Sequence, residues 1–436
     1  MPDLFRTSFY LITSMRRPYW SKKKLRKYQE KRIWSLVNHS YYNVSFYRKK
    51  FKELGITPND IKTLEDLNKL PIIKKDELRK ANTTDLISKG FSPSNLKKQK
   101  TSGSTGKPFT LYLNRAEDSW RKAIYMRANI SCGQKIRDSW VVITAPHHFS
   151  DTSGIQRRLG FFAQTCVPVF TKLKEQVQII KKVQPNVLDG YSGAIHLLAK
   201  EIDRQGIDSI RPRIVFGTAD LIDDRSRKFI EDVFDAPFYD QFGCSEVDRT
   251  AWQCPEKIGY HMDIDSVITQ FVDDDGNEVS SGERGNIVYT SLFNYVTPFI
   301  RYSVGDLGVP FDDECPCGRN FPLMKNIEGR SDSVLVLPNG ELISPRMFTV
   351  AMGMFNEYPK IAQFKIVQEK VDLIDFYIHL KDDSMDHIEF QNSLLAHYKK
   401  IFGSLFDAVN LSVSFVNEIA AEKTGKRRAV ISKVKR

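Results

Sequence analysis

The chain has 436 residues, 41% of them hydrophobic, and a formal charge of +12. Its length exceeds that of one ordinary domain, so two or more are expected, and its apolar content marks a globular chain rather than a disordered one. Six cysteines are too few for a disulfide scaffold in so long a chain and point to thiol chemistry or metal instead.

The longest apolar run near the start, Phe9-Tyr10-Leu11-Ile12, is broken by Thr13, Ser14 and the Arg16-Arg17 pair. It is too short to cross a bilayer or to serve as the core of a signal peptide, which places the protein in the cytoplasm. Much of the charge excess sits near the two ends: Arg16, Arg17, Lys22, Lys23, Lys24, Arg26 and Lys27 in one cluster, Lys426, Arg427, Arg428, Lys433, Lys435 and Arg436 in the other. Both read as solvated charge, with at most peripheral membrane attraction at the first. No basic-aromatic signature of nucleic-acid binding accompanies them.

Residues 1–95 read as a helical packing segment with aromatic and basic residues mixed around a turn at Gly55-Ile56-Thr57-Pro58. Next comes Thr101-Ser102-Gly103-Ser104-Thr105-Gly106-Lys107-Pro108, whose glycines allow close approach to an anion and whose hydroxyls and Lys107 would bind one. It is not a Walker A loop, because two residues separate its glycines and Pro108 follows the lysine. Phe109, Leu111 and Leu113 then alternate with polar residues, so the loop joins two strands. Apolar strands at Trp140–Ile143, Val167–Phe170 and Arg213–Phe216 alternate with helices at Gln176–Lys182, Ile195–Arg204 and Leu221–Val233. That alternation predicts an α/β domain with a largely parallel sheet. Ligands in such a sheet sit beyond the carboxyl ends of the strands, where Gly217-Thr218-Ala219 and Phe242-Gly243-Cys244-Ser245-Glu246 fall.

Taken with the glycine-rich loop, the latter segment resembles the aromatic-Gly-x-Ser/Thr-Glu motif of the adenylate-forming superfamily, and within it the phenylacetate-CoA ligase and CapK-like family. Three further segments in family order extend the resemblance: Arg301-Tyr302-Ser303-Val304-Gly305-Asp306, Gly329-Arg330-Ser331-Asp332 and Lys423-Thr424-Gly425-Lys426. The resemblance implies a large N-terminal domain (1–328), a hinge (329–333) and a small mobile α+β lid (334–436). It implies ATP with Mg²⁺, and roles for the site residues. Ser102, Gly103, Ser104, Thr105, Gly106 and Lys107 would hold the β- and γ-phosphates, Phe242 the adenine, Ser245 the α-phosphate and Glu246 the Mg²⁺. Asp306 would bind the ribose and Arg330 the ribose or a phosphate, Asp332 would be the hinge, and Lys426 the catalytic lysine. Without the resemblance, Phe242 reads as core, Glu246 as a surface helix residue, Asp306 as a turn former and Lys426 as a solvated tail lysine.

Cys254 and His261, with Cys315 and Cys317, form a second constellation. Three thiols and an imidazole are a standard inventory for tetrahedral zinc, although one residue separates Cys315 from Cys317 where two are usual. The alternative is unligated thiols packed as small apolar groups, which is also the reading for Cys132 and Cys166.

The implied activity is AMP-forming activation of a carboxylic acid and transfer of the acyl group to coenzyme A, or alternatively to an amine or a sugar. A reading of another class is a non-catalytic basic binding protein that keeps the fold. The acyl pocket would include His147 and His148, Asp189 and Tyr191; which acid they accept is open, as is the choice between monomer and homodimer.

Overall fold

The computed structural model describes residues 3–100, 109–149, 152, 154–330, 334–343, 345–382, 384–422 and 428–434. The glycine-rich loop Thr101–Pro108, the hinge Asp332 and the lysine Lys426 lie outside the described residues.

The N-terminal segment is mainly helical, with α1 (Leu4–Met15), α2 (Lys22–Asn43), α3 (Ser45–Glu53), α4 (Lys75–Lys80) and α5 (Thr83–Leu86). It also holds a short strand, β1 (Ile73–Lys74), ahead of α4. The hairpin strands β2 (Lys97–Lys100) and β3 (Thr110–Leu113) pair antiparallel on either side of the glycine-rich loop, and Leu111 and Leu113 face the core as their alternation predicts. A capping box starts α6 (Arg115–Ser131): Asn114 accepts from the Glu117 amide, and Glu117 accepts from the Asn114 amide in return. The other Glu117 oxygen accepts from the amides of Tyr295 and Val296, which ties the helix start to a distant loop.

The α/β expectation holds. The strands β4 (Trp140–Thr144), β5 (Gln164–Pro168), β6 (Val187–Tyr191), β7 (Ile214–Thr218) and β8 (Phe238–Cys244) are all parallel. They are joined through α7 (Gly154–Leu159), α8 (Leu173–Val183), α9 (Ser192–Arg204) and α10 (Asp224–Phe234). β8 is the turning point, parallel to β7 on one side and antiparallel to β9 (Asp248–Gln253) on the other. An antiparallel half follows in β10 (Tyr260–Met262), β11 (Val267–Val272), β12 (Gly285–Ser291), β13 (Tyr302–Phe311) and β14 (Leu323–Arg330). The ladder runs β11-β12-β13-β14-β10-β9-β8-β7-β6-β4-β5, and β1 adds to it beside β13.

A two-stranded hairpin, β15 (Leu335–Val336) and β16 (Leu342–Ile343), leads into the last lobe. There α11 (Pro345–Met354) and α12 (His387–Phe402) pack on a four-stranded sheet of β17 (Ile361–Lys370), β18 (Leu373–Leu380), β19 (Asn410–Phe415) and β20 (Val430–Ser432), in the order β19-β18-β17-β20. Residues from Leu335 to Val430 form a hydrophobic core of their own, apart from the cores of the large sheet. The lobe docks on the parallel half through polar contacts. Lys200 Nζ donates to the carbonyls of Ile361 (3.1 Å) and Ala362 (2.6 Å), Arg225 donates to the Phe355 carbonyl, and Tyr358 meets Ser226 and Asp223. Among the described residues, no helix is long and apolar enough to cross a membrane.

Candidate active site

Among the described residues, the carboxyl ends of β4, β6, β7 and β8 carry His147, His148, Tyr191, Gly217–Ala219 and Phe242–Glu246. Gly190 and Gly217 lie side by side in the register of β6 and β7. Neither tolerates a side chain: a Cβ at Gly190 would come within 2.3 Å of the Ile143 carbonyl oxygen, and one at Gly217 within 2.0 Å of the Phe238 ring. Just past β7, Ala219 holds φ at 73°, a left-handed conformation that alanine rarely adopts and that concentrates at functional turns. Beyond β4, His147 and His148 occupy a 3₁₀ turn with ring centroids 4.2 Å apart; His147 is exposed and His148 half-buried, whereas Tyr191 is buried in the core of the parallel half.

At the end of β8 the backbone passes so close to the next strand that a Cβ on Gly243 would sit 2.2 Å from the Asp248 carbonyl oxygen. That tight turn leaves Phe242 and Ser245 half-buried and carries Glu246 inward, to 2% exposure. Glu246 is therefore neither on a helix nor at the surface. Tyr302 Oη donates to its Oε1 at 2.8 Å, and Lys75 Nζ stands 2.9 Å from the same oxygen. Burial alone would raise this carboxyl, but Lys75 and Tyr302 outweigh it and keep Glu246 below its ordinary range; burial and Glu246 push the Tyr302 phenol well up. The Ser245 carbonyl accepts from Arg121 Nη2 at 2.5 Å and the Glu246 carbonyl from Asn294, which fixes the turn from behind. Gly305, at φ 84°, precedes the half-buried Asp306, and Asp306 pairs with Arg330 in the register of β13 and β14. A carboxylate that stays ionised while buried suits a divalent cation, and Glu246 meets that requirement. Gly329 and Arg330 are the last two residues of β14.

The four metal-ligand candidates also come together. Cys254 follows β9, His261 lies in β10, and Cys315 and Cys317 lie between β13 and β14. Their donor atoms all lie within 4.8 Å of one another, with Cys254 Sγ to Cys315 Sγ at 3.5 Å and Cys317 Sγ to His261 Nε2 at 3.2 Å. The Phe321 carbonyl, 3.3 Å from His261 Nδ1, can only accept, so Nδ1 carries the proton and Nε2 turns its lone pair toward the thiols. Burial lowers His261 to about 4, which keeps the imidazole neutral, and Arg319 draws the Cys317 thiol down against the opposing effect of burial. Three soft sulfur ligands, whose Cys254 and Cys315 members burial holds as thiols, with one neutral imidazole and a second-shell acceptor, make a donor set that fits zinc.

Among curated proteins, the chain is 28% identical to the phenylacetate-coenzyme A ligase of Thermus thermophilus, over 81% of this chain and 80% of the relative. It is 25% identical to protein CapK of Staphylococcus aureus, over 93% and 89% respectively. Among solved structures, 2-hydroxyisobutyryl-CoA ligase in the postadenylation state, in complex with R3-HIB-AMP, superposes with a TM-score of 0.80 at 21% identity, over 96% of this chain and 91% of that one. On these likenesses the chain is an AMP-forming ligase. No family model matches it. The same solved relative, in complex with 2-HIB-AMP and CoA in the thioesterification state, gives a TM-score of 0.65 over the same 96% of this ligase. The chain thus superposes better on the postadenylation structure than on the thioesterification one.

Sequence reasoning missed one residue of this ligase's site and misread others in its scaffold. Lys75 belongs to a segment read as packing; the parallel pairing of β1 with β13 aligns Ile73 with Tyr302 and delivers Lys75 to Glu246. Arg17, read as solvated, turns inward instead, stacks over Tyr28 and Trp120 and reaches Asp265 Oδ2 at 3.3 Å. Cys132 is buried as expected, but Cys166 is only half-buried, because β5 ends the ladder.

Proposed function

We propose that this ligase activates a carboxylic acid with ATP and passes the acyl group to coenzyme A. In the first step a substrate carboxylate oxygen attacks the α-phosphorus, the bond to the β-phosphate breaks, and pyrophosphate leaves. In the second, a thiolate attacks the acyl carbonyl and AMP leaves. No general base is needed for the first step, since a carboxylate is already ionised at neutral pH. Catalysis is then mainly positioning and electrostatic stabilisation.

The observation that carries the reading is the Tyr302–Glu246 hydrogen bond, which joins the turn after β8 to the strand bearing Asp306. In this reading Phe242 takes the adenine, Ser245 the α-phosphate and Asp306 with Arg330 the ribose. Glu246 would hold Mg²⁺, which when bound supplies charge neutralisation at the phosphates. Ser102, Ser104, Thr105 and Lys107 would hold the outer phosphates and Lys426 the α-phosphate and the attacking carboxylate. Gly217, Thr218 and Ala219 would border the nucleotide, and His147, His148 and Tyr191 the acid. The boundaries proposed for the lobes are 1–328, a hinge around Asp332 and 334–436. The higher TM-score to the postadenylation state supports a lid that rotates between the two steps. Cys254, His261, Cys315 and Cys317 would hold a structural zinc closed to substrate.

ATP–pyrophosphate exchange across a panel of carboxylic acids tests the reading, with product analysis in the presence of coenzyme A, amines or sugars to identify the acceptor. Lys426→Ala should reduce exchange by roughly a hundredfold or more while leaving thioester formation from a supplied acyl-adenylate largely intact. Equal survival of both half-reactions would remove Lys426 from the first step. Absence of exchange with every acid would favour the non-catalytic alternative.

A further inference from the structure

Helix α1 carries apolar side chains on both faces. Its inner face has buried Thr7 and Ser14 beside half-buried Leu4, Leu11 and Met15, while on the outer face Phe5, Phe9 and Ile12 stand 88%, 57% and 69% exposed. At 3.6 residues per turn, Phe5, Phe9, Ile12 and Arg16 fall within about 60° of one another on the helix wheel. Amphipathic helices of globular proteins turn the opposite face to solvent. Nor is α1 loosely attached: Asp3 caps it by accepting from the Arg6 amide, Tyr10 packs edge-on against Trp120 of α6 at 5.4 Å, and buried Arg127 donates to the Ser14 carbonyl. The fold therefore holds the apolar stripe outward.

Charge identifies what covers it. Residues 3–27 carry eight cationic side chains (Arg6, Arg16, Arg17, Lys22, Lys23, Lys24, Arg26, Lys27) and one carboxylate, Asp3. The carboxylate is already used, capping α1 and pairing with Arg6; of the cations, Arg17 is turned inward to Asp265, Lys22 pairs with Glu314, and Arg26 pairs with Glu30 and Glu65. Arg16, Lys23, Lys24 and Lys27 are exposed, and Lys23, Lys27 and the exposed Trp34 share one face of α2. Tyr19, between the helices, is exposed as well. Large apolar side chains beside lysines, arginines and interfacial aromatics are the composition of a helix that lies in a lipid headgroup layer. A second copy of the chain fits less well, because a two-fold interface would bring the same cationic segment of each copy together.

We propose that α1 docks on an anionic lipid bilayer, with Phe5, Phe9 and Ile12 entering the headgroup boundary and the cations that follow facing the lipid phosphates. The proposal is independent of the ligase reading and needs no substrate to test. Full-length protein should co-sediment with phosphatidylcholine vesicles that contain phosphatidylglycerol and much less with phosphatidylcholine alone, and raised salt should weaken the binding. The triple variant Phe5→Ser, Phe9→Ser, Ile12→Ser should lose at least tenfold in partitioning with an unchanged thermal midpoint, since all three side chains are exposed. Lys23→Ala with Lys27→Ala should lose about fivefold per cation. Failure of the wild-type protein to bind anionic vesicles, or equal binding by the triple variant, overturns the proposal. A wild-type dimer that the triple variant dissolves, in light scattering without lipid, would reassign the face to a second copy.

Discussion

Two buried polar clusters share the short stretch from His261 to Asp265, and they are completed in different ways. Around Asp263 and Asp265 the chain supplies both signs of charge. Arg127 Nη2 reaches Asp263 Oδ1 at 2.6 Å and its Nη1 reaches Asp265 Oδ2 at 2.7 Å, with all three side chains fully buried. Arg249 and the Trp252 indole also donate to Asp263, and Arg17 donates to Asp265. Around His261, three thiols and a neutral imidazole face one another, joined by weak contacts of Cys254 with Cys315 and of Cys317 with His261, and with Arg319 beside Cys317. A cluster closed on its own charges is scaffold; one of sulfurs and an imidazole is a set that could hold a metal ion.

The largest effect that would break this comparison is expected at Arg127. Arg127→Met leaves two buried carboxylates without their main partner, and removal of one member of a buried pair costs roughly 3–5 kcal/mol. Urea unfolding should show a loss of that order, and adding Asp263→Asn and Asp265→Asn should restore a large part of it. A loss below about 1 kcal/mol would mean that the cluster behaves as a solvated pair.

A smaller effect is expected at the thiols. If zinc completes the cluster, metal analysis should find one equivalent per chain, and Cys315→Ser should lose it. With free zinc a hundredfold above its dissociation constant, the bound ion stabilises by about 2.7 kcal/mol, so a chelator should lower stability by a similar amount. A metal-free wild-type protein as stable as Cys315→Ser would instead make these thiols small apolar groups.

Much of this was legible before any coordinates, for reasons that differ by element. The segments Phe242–Glu246 and Arg301–Asp306 could be found because each carries a glycine with a backbone reason to be there: Gly243 lies against the Asp248 carbonyl near the end of β8, and Gly305 takes a positive φ inside β13, not at a strand end as expected. β3 was readable because Leu111 and Leu113 alternate with polar residues, the pattern of a strand with one face in the core. β5 was displaced: Val167–Phe170 was expected and Gln164–Pro168 is found, because an edge strand can begin with Gln164 and Thr165 and gives no apolar signal there. Lys75 and Arg127 were invisible because each acts on a carboxylate far along the chain. A cation on a helix looks solvated until tertiary pairing, of β1 with β13 or of α6 with the loop after β10, brings it to its partner.

Asp189 gives the smallest and most pH-selective test. It is buried in β6 and accepts from the Tyr125 phenol at 2.7 Å, so it lacks the direct guanidinium bonds of Asp263. Burial raises its carboxyl from an ordinary value near 3.8 to about 6. Between those values the folded chain binds more protons than the unfolded one, so this group makes stability fall as pH rises through that window. The full rise corresponds to roughly 3 kcal/mol as an upper figure. Asp189→Asn keeps an oxygen for the phenol and removes the ionisation, so the variant should be about 1–3 kcal/mol more stable than wild type at pH 7.5 and converge with it below pH 4. Parallel stability curves across that range would mean that Asp189 ionises as easily in the folded chain as in the unfolded one. Its environment would then be as well compensated as that of Asp263, and buried carboxylates could no longer be sorted by the cations bonded to them.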